Sequence, residues 1–408
     1  MSPDAVAVTT PAAAALDAPD PGAPMLRGIR VLDLTRFLPG GYCTLLLADL
    51  GAEVVKIEEP KRGDPARVPH PMLDPIGARH ALRNRAKKSV TVNLADPQGA
   101  DVMRRLVSRA HVLVEGFRPG GAARLGVGFD AVHAWNPLLV YCSISGYGQD
   151  GPYRDLPGHD INYMAYAGAL GVMARDGAPE TPALQVADIA GGMLAATGIL
   201  AAVIEARRTG RGRLVDVALA DAVISTLYLP YVSHVAGAAA AGFGDASWHA
   251  PRAAYGVYET ADRKHLTLGI AGEMHFWTRF CRAVGREDLA DEAHLSGGKQ
   301  REARAALDEL FRTRSRDEWW ELLRRHGVPC APVNDLDDVV RDPHTRARRM
   351  FLDRAAGPPV IGCPLKFSGE SWPIVTGAPG LGEHTDEILA DAGLTPGEVD
   401  ALRAEGVV

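Results

Sequence analysis

Over the first 145 residues short apolar strands alternate with helical stretches, and that order leaves few folds open to the chain. Ile29 to Thr35 (IRVLDLT) reads as a buried strand. The turn LPGG at Leu38 to Gly41 breaks it, a short apolar helix runs to Leu50, and Glu53 to Glu58 (EVVKIE) is a second strand. The pattern repeats with strand Ser89 to Leu94, helix Pro97 to Arg109, strand His111 to Glu115, a loop-helix stretch to Trp135 and strand Leu138 to Ser145. Alternation of this kind predicts an α/β domain wound on both faces of a parallel sheet.

Beyond a Gly/Pro-rich passage at 146–158 the chain turns helical, with Ile161 to Ala174, Ile189 to Thr209 closed by Gly210 and Gly212, and Leu219 onward. Ala236 to Gly244 reads as a linker. Tyr255 to Ile270 then predicts strands, and Glu273 to Gly285, Lys299 to Arg314 and Asp317 to His326 predict helices of a second, smaller domain. From about Pro358 a mixed strand and helix pattern returns, ending in Thr385 to Leu402, which is expected to pack back on the first domain. The expected division is a disordered tail over 1–25, a large domain over 26–225, a small domain with linkers over 226–345, and a return to the large domain over 346–408.

A 408-residue chain with 47% hydrophobic and 23% charged residues has the composition of a globular protein with a sizeable core. Forty-four basic against fifty acidic residues, net −6, argue against nucleic acid as the principal partner. The five cysteines (Cys43, Cys142, Cys281, Cys330, Cys363) are scattered without a C-x-x-C pair, as expected of reduced thiols in a cytoplasm. The first 25 residues hold no Lys or Arg and so lack the marks of a secretory or transit segment. Of two uncharged stretches, Ile189 to Ile204 and Ala222 to Gly244, only the second has the ~20 residues of a span. Its Pro230, Ser233 and His234 argue for buried helices and no membrane.

The first strand-to-helix turn, with Gly40 and Gly41, has the position of a dinucleotide loop but not its G-x-G-x-x-G, and Pro39 removes a backbone donor. No Walker loop, H-E-x-x-H, G-x-S-x-G or kinase signature is present, so no metal site and no redox or other tightly bound cofactor is expected. Two residues stand out. Asp188 sits just before a helix opening with Ile189, Ala190, Gly191 and Gly192, where Asp is a common cap; the glycine pair would also let a ligand approach its carboxylate. His159 in GHDINY is one of thirteen histidines, and spacing alone does not raise it above a structural role. Basic residues at Arg83, Arg85, Lys87 and Lys88, and at Arg118 and Arg124, flank the ends of predicted strands, where they form either an anion site or a solvated face.

The stretches LRGIRVLDLTRFLPG, LLADLGAEVVKIEEPKRGDPAR, HVLVEGFRPG, AARLGVGFD, GHDINYMAYAGAL, RRTGRGRLVDVAL, GVPCAPVNDLDDVVRDPH and GEHTDEIL together resemble the class III CoA-transferase superfamily, which includes α-methylacyl-CoA racemase. The match runs from Leu26 to Val408. The resemblance implies a Rossmann-like large domain, a smaller inserted α+β domain, and an interlocked homodimer with its active site between domains. It implies coenzyme A as part of the substrate. Arg124 is similar to the arginine that meets the CoA phosphates, and Gly116, Phe117 and Arg118 to the adenosine-side loop. Thr91, Val92, Asn93 and Leu94 match the strand bordering the adenine, and Gly158, Asp160, Ile161, Asn162 and Tyr163 the segment along the pantetheine. The racemase carries an arginine near the end of the second strand, where this chain has Glu59.

Within the superfamily, the aspartate matching Asp188 serves two chemistries: nucleophile in the transferases, through an aspartyl anhydride, and acid/base in the racemase, opposite the histidine matching His159. Glu273, in AGEMHFW, matches the glutamate that holds that histidine. Inverting a carbon alpha to a thioester needs a base on each face, and backbone N–H groups after Asp188 are the expected donors to the enolate. The stretch APRAAYGVYETADRK lacks the glycine run of the formyl-type transferases, which favours a racemase acting on 2-methylacyl-CoA; KIEEPKRGDPAR favours a transferase. A noncatalytic acyl-CoA binding protein is the third reading. Met164, Tyr166, Tyr228 and Trp248 are the expected acyl-pocket residues.

Overall fold

The computed structural model describes residues 24–68, 71–73, 76–174, 178–237, 252–295, 299–354, 359–368 and 376–408. The tail expected over 1–25 falls, up to residue 23, outside the described residues, and so do most of the linker expected over 236–244 and Trp248. The described residues divide into two compact units: those up to Leu170 with Glu180–Tyr228 and Arg349–Val408, and Gly171–Pro179 with Leu229–Arg348.

In the first unit the elements are β1 (Arg30–Asp33), α1 (Leu38–Asp49), β2 (Glu53–Glu58), α2 (Ala78–Arg83), β3 (Lys88–Thr91), α3 (Pro97–Val107), β4 (Val112–Glu115), β5 (Val140–Ser145), α4 (Asp160–Tyr166), α5 (Val186–Thr209), β6 (Leu214–Ala218) and α6 (Leu219–Thr226). The six strands form one sheet in the order β3-β2-β1-β4-β5-β6, every neighbouring pair parallel. The order reverses between β1 and β4, where Val31, Leu32 and Asp33 face Val112, Leu113 and Val114. Loops leaving these two strands part to opposite sides, which opens a crevice at their C-terminal ends.

One face of the sheet is covered by α1 and α5, the other by α3 and the chain's last two helices. Helix α5 passes the length test for a membrane span, yet its Ala187, Gly191, Gly192, Ala195, Ala196 and Ile199 are buried in the core. Gly191 and Gly192 are closed in by packing. A Cβ on Gly192 would lie 2.7 Å from the Pro39 carbonyl and 3.4 Å from the Cys43 nitrogen, and one on Gly191 would overlap Leu219. The pair therefore seats α5 on α1 and α6, and the expected ligand approach over it is not there.

One local expectation changes. LPGG does not end in a turn but opens α1, because Pro39, whose fixed φ suits the first helical turn, falls at its N-terminus. The closing stretch from Thr385 holds two helices, Thr385–Asp391 and Pro396–Ala404, parted at Gly393 with φ 87°. Their Ile388, Leu389 and Val399 enter the core against Val90, Val92 and Met103. Strand β6 has no clear sequence signal, since its LVDVA is half exposed at the sheet edge.

The second unit holds strands β7 (Tyr255–Glu259), β8 (His265–Gly269) and β9 (Cys330–Pro332), antiparallel in the order β9-β8-β7, with helices Met274–Val284, Gln300–Phe311 and Arg316–Arg325. Trp277, Phe280, Phe311, Trp319 and Leu323 form its core.

Candidate active site

The crevice at the sheet's C-terminal edge contains a cleft of about 120 Å³ lined by residues that end or follow four adjacent strands: Leu34 to Arg36, Ile57 to Glu59, Val92 to Ala95, and Phe117. Gly63, Asp64, Leu125 and Lys56 complete it. Its apolar walls, Val92, Leu94, Phe117 and Leu125, suit a flat ring, and the Arg36 guanidinium lies 5.5 Å from the Phe117 ring centroid, within cation–π range.

Of the expected CoA residues, Val92, Asn93, Leu94 and Phe117 line this cleft; Thr91, Gly116, Arg118 and Arg124 do not. Thr91 is buried, and its N–H donates to the Thr385 hydroxyl at 3.2 Å. Arg118 and Arg124 are exposed beyond β4, and Arg118 lies within electrostatic reach of Tyr163. Sequence reasoning singled out Glu59 by resemblance and missed Leu34 to Arg36, Ile57 and Glu58. The signal was available, since the residues after β1 and β2 occupy the same crevice as those after β3 and β4.

Below the cleft is a layer of buried ion pairs. Lys87 Nζ, fully enclosed, meets Asp33 Oδ2 at 3.0 Å, the Thr44 hydroxyl at 2.7 Å and Asn84 Oδ1 at 2.9 Å. Burial lowers the Lys87 ammonium to about 8 against the raising effect of Asp33. Burial would raise the Asp33 carboxyl, but Lys87 and Lys56 with Thr35 and Thr44 hold it well below the usual carboxylate range. Lys56 Nζ meets Asp64 at 3.0 Å, Arg67 meets Glu58 at 2.6 Å, and Arg85 chelates Asp49. Thus Arg85 and Lys87 form neither an anion site nor a solvated face. They turn inward and neutralise Asp49 and Asp33. Lys88 pairs half-exposed with Glu53 and Glu387.

The second focus is where α4 meets α5. Helix α5 begins at Val186, so Asp188 is the third residue of its first turn and not its cap. An acid there still meets the positive end of the helix. The Asp188 N–H donates to Asp160 Oδ1 at 3.0 Å, tying α5 to the first residue of α4, whose N-cap is His159. Burial, then the neighbouring Asp160 charge, push the Asp188 carboxyl up to about 6, against the pull of His159 and Arg83.

The N–H groups after Asp188 are not free to meet an enolate: that of Ile189 is bonded to the Gln185 carbonyl at 3.1 Å, as helix geometry requires. Val186, Ala187 and Asp188 precede it with N–H groups lacking an intrahelical acceptor, and that of Asp188 is taken by Asp160.

Around His159 the segment is held locally. The Asn162 side chain accepts from the His159 N–H at 3.0 Å, and the Tyr163 hydroxyl donates to the Gly158 carbonyl at 2.6 Å. Tyr163 is buried and Ile161 is exposed. Tyr147 stands edge-on to both Tyr163 and Tyr166, and Tyr153 edge-on to Tyr166, a cluster beside GHDINY in which Tyr147 and Tyr153 were not foreseen. Met164 is fully enclosed in the core, which removes it from the expected acyl pocket; Tyr166 and Tyr228 are exposed. Glu273 belongs to the second unit, where it caps the helix Met274–Val284 and its carboxylate accepts from the Ala271 N–H at 2.8 Å.

The family model described as CoA-transferase family III matches residues 26–385. An acyl-CoA transferase of Fusarium pseudograminearum is 33% identical, over 94% of this chain and 88% of its own length. The human α-methylacyl-CoA racemase is 31% identical, over 94% and 97%. A crystal structure of a CAIB/BAIF family protein from Brucella suis superposes with a TM-score of 0.80 at 30% identity, over 91% of this chain and all of that one.

Proposed function

This chain belongs to CoA-transferase family III and is an acyl-CoA enzyme of the transferase and racemase kind, and from that premise we propose that it epimerises 2-methylacyl-CoA thioesters by two-base proton transfer between His159 and Asp188. One observation carries the reading: the 3.0 Å hydrogen bond from the Asp188 N–H to Asp160 joins the turn bearing one base to the helix capped by the other. A carboxyl raised to about 6 is ionised at neutral pH yet basic enough to take a proton alpha to a thioester. One group removes the proton from one face, and the other returns a proton to the opposite face.

In this reading Val92, Leu94 and Phe117 receive the adenine, Asn93 and Thr91 support that strand end, and Arg118 and Arg124 meet the phosphates at the exposed rim with Gly116. Gly158, Asp160, Ile161, Asn162 and Tyr163 border the pantetheine, and Glu273 orients His159. The substrate brings its own coenzyme A. A smaller inserted domain and an interlocked homodimer belong to the same proposal, supported by the exposed Tyr228, Tyr231 and Val235. A cytoplasmic setting is supported by the five free cysteines.

A second reading is favoured by the helix-bonded N–H of Ile189: Asp188 as nucleophile. Its carboxylate attacks the thioester carbonyl and the C–S bond breaks, leaving a mixed anhydride and CoA thiolate; the acceptor carboxylate displaces the donor acid from that anhydride, and the thiolate attacks the new acyl carbonyl, giving the acceptor's thioester and freeing Asp188. Incubation with (R)-2-methylacyl-CoA in D2O without acceptor separates the two. Deuterium at C2 with movement toward equal diastereomers is the expected result. No exchange, with CoA passed to an added acid, establishes transfer and overturns the first reading.

A further inference from the structure

Beneath the strand ends, Asp33, Asp49, Glu58 and Asp64 are each closed by one cation at 3.0 Å or less: Lys87, Arg85, Arg67 and Lys56 in turn. Arg83, the last residue of α2, is a fifth cation in this layer, with a side chain only 12% exposed. Its contacts are weak: a 3.4 Å hydrogen bond to the Arg36 carbonyl and a 3.8 Å approach to Asp64, which Lys56 already neutralises. A guanidinium has five N–H donors and is costly to bury without a counter-charge.

Packing shows where that charge comes from. The Arg83 side chain lies across Gly41, where a Cβ would overlap its Cδ. Gly192 of α5 lies against Pro39 and Cys43 of the same α1 turn, and Asp188 is one turn before Gly192 on its helix. Arg83 and Asp188 thus both pack against the N-terminal turn of α1, and Arg83 feels the charge of Asp188 after those of Asp64 and Asp33.

We propose that Arg83 is the counter-ion of the reaction centre, neutralising Asp188 in the resting enzyme and the enolate oxygen of the substrate once Asp188 has taken the alpha proton. The step balances. The C2–H bond breaks, an O–H bond forms on Asp188, and the electron pair moves through C1=C2 onto the thioester oxygen. One negative charge leaves the carboxylate and one appears on the substrate, so the layer's charge is constant while Arg83 exchanges partners. The N–H groups after Asp188 do not compete for this duty, because the helix takes them.

The inference rests on the epimerase reading, so the test is run beside the wild type. With (R)-2-methylacyl-CoA in D2O, Arg83→Gln should lower kcat for C2 exchange about 100-fold, as loss of one charge-stabilising donor does, with KM changed less than about threefold. Arg83→Lys should recover at least tenfold, and the thermal midpoint of both variants should stay near the wild type's. A purely structural Arg83 would lower the midpoint of Arg83→Gln without a selective kcat effect. Exchange by a folded Arg83→Gln at the wild-type rate overturns the inference and leaves the epimerase reading standing. No exchange by the wild type overturns both.

Discussion

Asp188→Asn should make the protein more stable while removing its chemistry, and the gain should exist only above the pH where the native carboxyl ionises. In the folded chain burial and Asp160 raise this group from 3.8 to about 6. A raised carboxyl favours its neutral form, so its ionisation destabilises the fold progressively between about pH 4 and pH 6, and by a constant amount above. Two units at ~1.4 kcal/mol each give a ceiling of about 3 kcal/mol. Partial solvent access screens this to about 1–2 kcal/mol. Asparagine keeps the shape and cannot ionise. Thermal melts of the two proteins should therefore coincide at pH 4 and separate by a few degrees at pH 7.5, at ~2–4 °C per kcal/mol for units of this size, with the variant higher. Exchange and transfer assays on the same samples should show no turnover. A variant that melts at or below the wild type at pH 7.5, or keeps its advantage at pH 4, would refute the assignment of Asp188 as a strained, desolvated carboxylate.

Three other substitutions probe the frame around it. Lys87→Met should cost about 3–5 kcal/mol in urea unfolding, because it leaves Asp33 buried and charged without its 3.0 Å partner; adding Asp33→Asn should recover part of that. Gly192→Ala places a methyl group 2.7 Å from the Pro39 carbonyl, a backbone atom that cannot swing aside. A loss of about 1–3 kcal/mol is expected, read by thermal melting, together with lowered turnover as α5 shifts Asp188. Phe117→Ala removes an aromatic wall of the cleft and the ring under Arg36; KM for the acyl-CoA should rise about tenfold with kcat little changed, as for binding that is uniform through the reaction.

Much of this arrangement is local and therefore legible in the chain. The parallel sheet follows from the alternation of apolar runs and helices, and EVVKIE is a strand over the residues its pattern predicts, Glu53–Glu58. The motifs give the family because their order along the chain survives folding unchanged. What tertiary structure alone decided is which charges face which. The row Arg83, Arg85, Lys87, Lys88 is uniform in sequence, yet the end of α2 and the start of β3 turn two of these residues into buried pairs, one to a half-exposed edge, and Arg83 inward to within 3.8 Å of Asp64. Gly191 and Gly192 read in sequence as room for a ligand, and only the approach of Pro39 and Leu219 shows that the room is taken by packing. The helix start is of the same kind: moving it from Ile189 to Val186 commits the N–H that sequence reasoning had left free. Periodicity and turn chemistry act over a few residues, so the sequence carries them openly. Burial and charge pairing join residues far apart in the chain, 54 positions for Lys87 and Asp33 and 299 for Lys88 and Glu387, and exist only once the fold has brought those segments together.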